Sequence, residues 1–325
     1  MNTFGNIFRI SIFGESHGAN VGVCIDGCPA GIALAEADFA DDLQRRRSGA
    51  RGTTLRIEAD EPQIVSGIFN GKTTGAPLTI LFHNDNTKSG DYTQFQAHPR
   101  PSHADCVARK KYKGFVDFRG GGHFSGRLTL ALVAAGVVAK KIVLNIRIIA
   151  QLTEVGGQQY GEHDETLAAA MSAGDSLGGV VECRATGLPA GWGSPFFDSV
   201  ESRLSHVVFA IPGVRGIEFG TGFAAAAMRG SEHNDVIIDE RGTTQTNHAG
   251  GITGGITNGN ELIFRTAFKP TASIALPQNT YNFETKRVEP LHIKGRHDVC
   301  FALRTPVIVE AVTAIVLADV SLGNL

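Results

Sequence analysis

The sequence predicts a mixed protein, α/β or α+β, and three observations lead there. Short runs of β-branched and aromatic residues, such as 7–13, 21–25 and 78–82, alternate with segments of helical period along the whole chain. Forty glycines among 325 residues call for many tight turns and close backbone approaches. The last element is a marked helix, so the chain does not end as it begins, on strands. Pattern alone leaves the order of the strands open.

Strands are expected at 7–13 and 21–25, around the turn Gly14-Glu15-Ser16-His17-Gly18. From Ala35 to Gln44, Phe39 and Leu43 share one helical face, and the arginines of 45–47 follow at the C-terminal end, where cations suit the helix dipole. Strand-like runs come at 55–58, 63–68 and 78–82, then a polar, turn-rich stretch from His83 to Gln96. Ser125 reads as the N-cap of a helix reaching about Lys141. Arg127 then stands in its first turn beside free backbone N–H groups, an arrangement that suits an anion. Residues 145–178 read as a weaker, peripheral excursion. A strand at 179–185, a helix at 198–209, a strand at 214–219 and an Ala-rich stretch at 223–228 follow. Residues 230–260 read as one long loop with a short strand at 235–238, and such loops are often functional. A strand at 261–267 precedes the final helix. There Thr305 is the expected N-cap, Pro306 takes the first helical position, and the run is almost wholly apolar to Leu317, which places it in a core or a subunit interface.

Bulk properties exclude several classes. A formal net charge of −2 gives no global attraction for nucleic acid. Cys24, Cys28, Cys106, Cys183 and Cys300 are odd in number and lack zinc spacing, so free thiols in a reducing compartment are expected. The N-terminus lacks the basic and apolar regions of a signal peptide, and the apolar stretches 128–139 and 306–320 are short for a bilayer. The expected location is the cytoplasm, with no membrane partner. Gly71-Lys72-Thr73 fails as a P-loop because Ser66 stands where its first glycine belongs. No metal-binding spacing is evident.

The informative segments are polar. Residues 100–129 set His103 and His123 among Lys and Arg side chains and contain the run Gly120-Gly121-Gly122. Cations bind anionic groups, His exchanges protons near neutral pH, and glycines let backbone approach a ligand. GESHG at 14–18, RRRSGARG at 45–52, KPTAS at 269–273 and RHDVC at 296–300 have the same character. Together they predict a site for a multiply charged anion where protons move. Two readings stand on the residues alone: a phospho-ester enzyme using His as general acid, and an RNA-binding module using the Arg and Lys runs. The charge balance and the lack of an RRM or KH motif weigh against the second.

In this order, GESHG, GGGHFSGRLTL at 120–130 and RHDVC resemble the three signatures of the chorismate synthase family. RPSHAD at 100–105, GSEHND at 230–235, NHAGGITGG at 247–255 and KPTAS extend the resemblance over nearly the whole chain. The resemblance implies an α+β fold, a β-α-β sandwich in a single large domain spanning 1–325, assembled as a homotetramer. It implies conversion of 5-enolpyruvylshikimate 3-phosphate to chorismate and phosphate by anti-1,4-elimination, with reduced FMN (FMNH2) required and no net redox change.

Carried over residue by residue, the catalytic positions are His17, which acts on the leaving phosphate, His103, near flavin N1 and its C2 carbonyl, and Asp298, near N5. Substrate positions are Ser16, Arg46, Arg51, Arg127 and Arg296. Flavin positions are His123, Phe124, Ser125, Pro212, Gly213, Gly254, Arg296 and the segment Lys269, Pro270, Thr271, Ala272 and Ser273. No second nucleotide-binding domain is left over, so an external flavin reductase is the expected source of reduced FMN. The chain departs from the family pattern in a shortened arginine segment, in Thr54 where some members have Arg, and in His123 and Leu128 in place of Arg and Glu. Regions 150–178 and 236–250 are also trimmed.

Overall fold

A computed structural model describes residues 1–323 other than Ile57, Lys88 and Arg296. The chain builds two five-stranded antiparallel sheets with helices between them, the β-α-β sandwich that the resemblance implies.

The first sheet contains β1 (Thr3–Phe4), β2 (Arg9–Gly14), β3 (Asn20–Asp26), β4 (Gln63–Ser66) and β7 (Leu78–His83), in the order β1-β2-β3-β7-β4. Between β4 and β7 the chain makes a small hairpin, β5 (Ile68–Phe69) with β6 (Lys72–Thr73). The second sheet contains β8 (Arg147–Val155), β9 (Gln158–Gln159), β10 (Gly179–Thr186), β11 (Val214–Phe219) and β14 (Leu262–Phe268), in the order β11-β14-β10-β8-β9. Two further hairpins, β12 (Ile252–Thr253) with β13 (Ile256–Thr257) and β15 (Gln278–Asn282) with β16 (Arg287–Leu291), lie outside both sheets.

The helices in chain order are α1 (Ala40–Arg46), α2 (Asp105–Lys111), α3 (Thr129–Ile142), α4 (Asp164–Ala173), α5 (Val200–Val208), α6 (Gly230–His233) and α7 (Pro306–Gly323), and two of them, α3 and α7, fill the space between the sheets. Helix α3 (Thr129–Ile142) packs on β3 and β2, while the C-terminal helix α7 (Pro306–Gly323) packs on β8 and β10. The two helices also pack on each other, so neither has a face left for water. This explains why both sequences are apolar all round. Gly136 marks their closest approach: a Cβ there would stand 2.4 Å from the Cβ of Ala311. By length and composition α7 passes as a membrane span, but Val307 to Val320 are all buried in the protein core.

Two carboxylates in α7 face the core and are fully partnered. Glu310 takes both terminal nitrogens of Arg45 at 2.7 Å, the backbone N–H of Ala150 at 2.9 Å and Lys140 at 3.3 Å. Asp319 accepts backbone N–H groups of Asn6, Ile7 and Phe8 and an ion pair from Arg203, which pins the segment before β2. Without such partners a buried carboxylate is strongly unfavourable.

Several expectations need correcting. The run at 55–58 makes no strand at its described positions. Leu55 is exposed, while Arg56 and Glu58 turn into a polar network. Residues 145–178 are not peripheral, because β8 lies inside the second sheet beside β10. The strand expected at 235–238 is only a bridge between Ile237 and Thr244. The Thr305 hydroxyl donates to the Ala302 carbonyl, and its backbone carbonyl, not its side chain, accepts from Ile308 and Val309.

Candidate active site

Several of the polar motif segments line one cavity of about 590 Å³. Its walls come from six stretches: the end of α1 (Ala40–Arg46) with Arg47, Ser48, Thr54, Arg56, Glu58 and Asp60, 92–107 with the start of α2 (Asp105–Lys111), 120–127, 212–215, 269–273 and 297–304.

The glycine run shapes one wall. Gly120, Gly121 and Gly122 have φ of 59°, 83° and 54°, a region that side chains rarely adopt. The Gly122 carbonyl accepts the Ser16 N–H at 3.1 Å, which ties the run to the turn after β2. A Cβ on Gly120 would lie 2.5 Å from the His17 ring and 2.8 Å from Ser16 Oγ. Only glycine lets this backbone pass so close. Burial, then the charges of Arg56 and Arg119, push the His17 imidazole down to about 4, so it is neutral at neutral pH. Tyr92 stands edge-on to its ring at 5.2 Å.

After the glycines, Ser125 accepts the Arg127 N–H at 3.3 Å and starts the short turn Gly126–Leu128 ahead of α3. Arg127 is thereby buried, donating to Asn84 Oδ1 at 2.9 Å, the His83 carbonyl at 3.2 Å and Asp60. Asp60 also takes Arg46 at 3.1 Å, so one carboxylate holds two buried guanidiniums. Burial works to raise the Asp60 pKa, but Arg46 and Arg127 outweigh it and keep the group ionised. Beside them, Arg56 binds Glu58 at 2.6 Å and donates to Ser16 Oγ and O at 2.9 and 3.0 Å.

On the opposite side, Arg100 grips Asp105 through Nε and a terminal nitrogen, both at 2.8 Å, and donates to Ser273 Oγ at 3.0 Å. The Nδ1 of His103 lies 2.6 Å from the same carboxylate. Lys269 and Arg215 line the cavity together. Burial and that neighbouring cation hold the Lys269 ammonium below its ordinary range. Asp298 accepts the Thr54 N–H at 2.9 Å and Arg304 at 2.8 Å. Next to it, burial and Arg100 push His297 down to about 4.

The structure therefore brings Arg46, His103, Phe124, Ser125, Arg127, Pro212, Gly213, the segment 269–273 and Asp298 onto one cavity, with Ser16 and His17 behind Gly120. It leaves others out. Arg51 is exposed on the loop after α1, and Gly254 sits in the β12–β13 turn, neither of them on the cavity wall. His123 bonds to the Gly14 carbonyl at 2.8 Å and Asn2 Oδ1 at 3.0 Å, so both ring nitrogens face the N-terminal strands. Arg296 lies outside the described residues. Sequence reasoning missed Arg56, Glu58, Asp60, Arg100, Asp105, Arg215, His297 and Arg304. Of these, Arg100, Asp105 and His297 sit inside the quoted motifs; the others carry no local signal.

The model of the chorismate synthase family matches residues 8–322. The chain belongs to the chorismate synthase family. A chorismate synthase of Chitinophaga pinensis is 61% identical over 98% of this chain and 96% of the relative, and one from Korarchaeum cryptofilum is 44% identical over 97% and 96%. A crystal structure of chorismate synthase shares the fold with a TM-score of 0.75 and 25% identity, over 99% of this chain and 93% of that one. Chorismate synthases are carbon–oxygen lyases of aromatic biosynthesis, and this chain is an enzyme of that kind.

Proposed function

We propose that this chain eliminates phosphate from 5-enolpyruvylshikimate 3-phosphate in a 1,4 sense to give chorismate, with reduced FMN in the same cavity. One observation carries the reading. Eight Arg and Lys side chains line the cavity against three carboxylates, an excess of five positive charges. A substrate with one phosphate and two carboxylates, together with the flavin phosphate, brings roughly six negative charges near neutral pH.

The residues fit the cofactor. Among the described residues, Thr271 Oγ1 and His297 Nε2, both buried on the cavity wall, meet no hydrogen-bond partner. Such atoms are costly unless a ligand meets them. Lys269 and Arg215 repel each other unless an anion lies between. The segment 269–273, with Arg215 and Gly213, would hold the flavin phosphate, and His103, Phe124 and His297 would meet the ring system. Reduced FMN held by these residues would supply transient electron donation to the reacting centre, with no net oxidation.

The chain's own groups do the rest. Arg46, Arg56 and Arg127 bind substrate anions, pre-set by Asp60 and Glu58 so that little ordering is needed on binding. His17 is neutral in the empty site. A phosphate dianion beside it raises its proton affinity, so substrate recruits the proton that the leaving group needs. Asp298, oriented by Thr54 and Arg304, offers a carboxylate that assists removal of the C6 hydrogen. The proposal extends to a single domain, a homotetramer in the cytoplasm, and an external flavin reductase, with no NADPH-driven flavin reduction by the chain itself. The test is release of phosphate with appearance of chorismate absorbance. His17→Ala and Asp298→Ala should each lose at least about 100-fold in turnover, the scale of a lost acid or base, while still binding flavin. Full turnover in either variant would remove that residue from the chemistry.

A further inference from the structure

His103 sits in surroundings that fix one arrangement of its proton. Asp105 receives Nε of Arg100 at 2.8 Å, a terminal nitrogen of Arg100 at 2.8 Å and the Arg100 backbone N–H at 3.1 Å. A carboxylate held by three such donors stays ionised and can only accept. Its Oδ1 is 2.6 Å from His103 Nδ1, so the hydrogen between them belongs to the ring. A hydrogen of Arg100 Nη2 also points at Nδ1 from 3.1 Å, but a bare Nδ1 would set its lone pair against a carboxylate oxygen only 2.6 Å away, so the closer contact decides and Nδ1 keeps its hydrogen. The proton-free nitrogen is then Nε2. That edge faces the glycine run: Nε2 and Cε1 lie 3.5 and 3.6 Å from where a Gly121 Cβ would stand, and the ring lines the cavity.

The clamp is rigid. The Arg100 guanidinium lies 4.4 Å from the Phe95 ring centre and is itself buried. It links His103 to the segment 269–273 through Ser273. The charged groups that act on His103 are Asp105, Arg100 and Lys269, and His297 is close enough to feel both Arg100 and His103. Of these, only Asp105 favours the protonated ring. Resting on the reading that His103 meets the flavin ring in this site, we propose that Asp105, clamped by Arg100, is a positioning residue: it locks His103 as the Nδ1–H tautomer and presents Nε2 to the cavity.

The test uses the full chain without flavin, labelled with ¹⁵N histidine, beside steady-state kinetics. The wild type should show Nδ1 protonated and Nε2 bare. In Asp105→Asn an amide N–H faces Nδ1, so the tautomer should invert. Turnover should fall about 10- to 100-fold, as for other groups that orient a functional imidazole, with KM changed less than about twofold. The acidic limb of the pH profile should also move to lower pH, because the one group favouring the imidazolium is gone. Asp105→Glu should restore the wild-type tautomer and part of the rate. An Nε2–H tautomer in the wild type, an unchanged tautomer in Asp105→Asn, or undiminished turnover in that variant would each overturn the proposal. Full turnover in His103→Ala would instead sink the reading on which it rests, and the tautomer measurement separates the two.

Discussion

Gly120→Ala is a small change with a large expected effect on turnover. The new methyl would stand 2.5 Å from the nearest His17 ring atom and 2.8 Å from Ser16 Oγ. Ordinary contact begins near 3.4 Å, so the ring must retreat by about 0.9 Å. A misplacement of about 1 Å in a reacting group costs on the order of 100-fold in rate. The backbone adds its own term: φ is 59° at Gly120, and holding Ala there costs about 1–2 kcal/mol. For a chain of this size that lowers Tm by only about 1–3 °C. The assay is chorismate formation under anaerobic conditions beside a thermal melt. A hundredfold loss of turnover in a protein that still melts cooperatively, with its flavin affinity kept, is the expected result. Full activity would refute the placement of His17 behind the glycine run. A loss of activity equal to the loss of folded protein would refute it too.

Other expectations follow from single contacts. Asp60→Ala removes the carboxylate shared by buried Arg46 and Arg127, which costs about 3–5 kcal/mol and should lower Tm by about 4–7 °C; an unchanged melt would mean that the pair is solvated. His123→Ala removes the bonds to Gly14 and Asn2, so Tm should fall by about 2–4 °C while flavin affinity holds in a fluorescence titration; a large loss of flavin affinity would return His123 to the cofactor site. His17 and His297 are both held down to about 4 from 6.5, so the unfolded chain binds more protons than the folded one across that window. Stability should therefore be fully present above pH 6.5 and decline as pH falls toward 4, and a double change to Gln should flatten that decline in denaturant titrations.

The sequence made some of this legible. Pro306 and the apolar run after it announce α7, and the strands at 179–185, 214–219 and 261–267 fall within a residue or so of β10, β11 and β14, because local pattern and tertiary burial agree there. Pattern failed where a side chain answers to a distant partner. The alternation of 55–58 imitates a strand, yet Arg56 reaches Ser16, forty residues back, and Glu58 reaches the backbone of 85–86. β8 was undervalued because its mixed residues are covered by α7 on one side and open on the other. The polar hairpin of β15 and β16 offers little β propensity to read. At the site, motif-borne residues such as His17, His103 and Lys269 were visible. Asp60 was not: its meaning lies in Arg46 and Arg127, and the second is 67 residues away. Arg304 was hidden in the same way, since only folding sets it on Asp298.

The most direct measurement is anaerobic turnover of 5-enolpyruvylshikimate 3-phosphate with oxidised FMN, with chemically reduced FMN, and without flavin, following phosphate and chorismate together. Equal amounts of phosphate and chorismate with reduced FMN alone, and no net flavin oxidation, is the result expected of this cavity. Turnover without flavin, or none from protein that binds reduced flavin tightly, would contradict the proposed elimination.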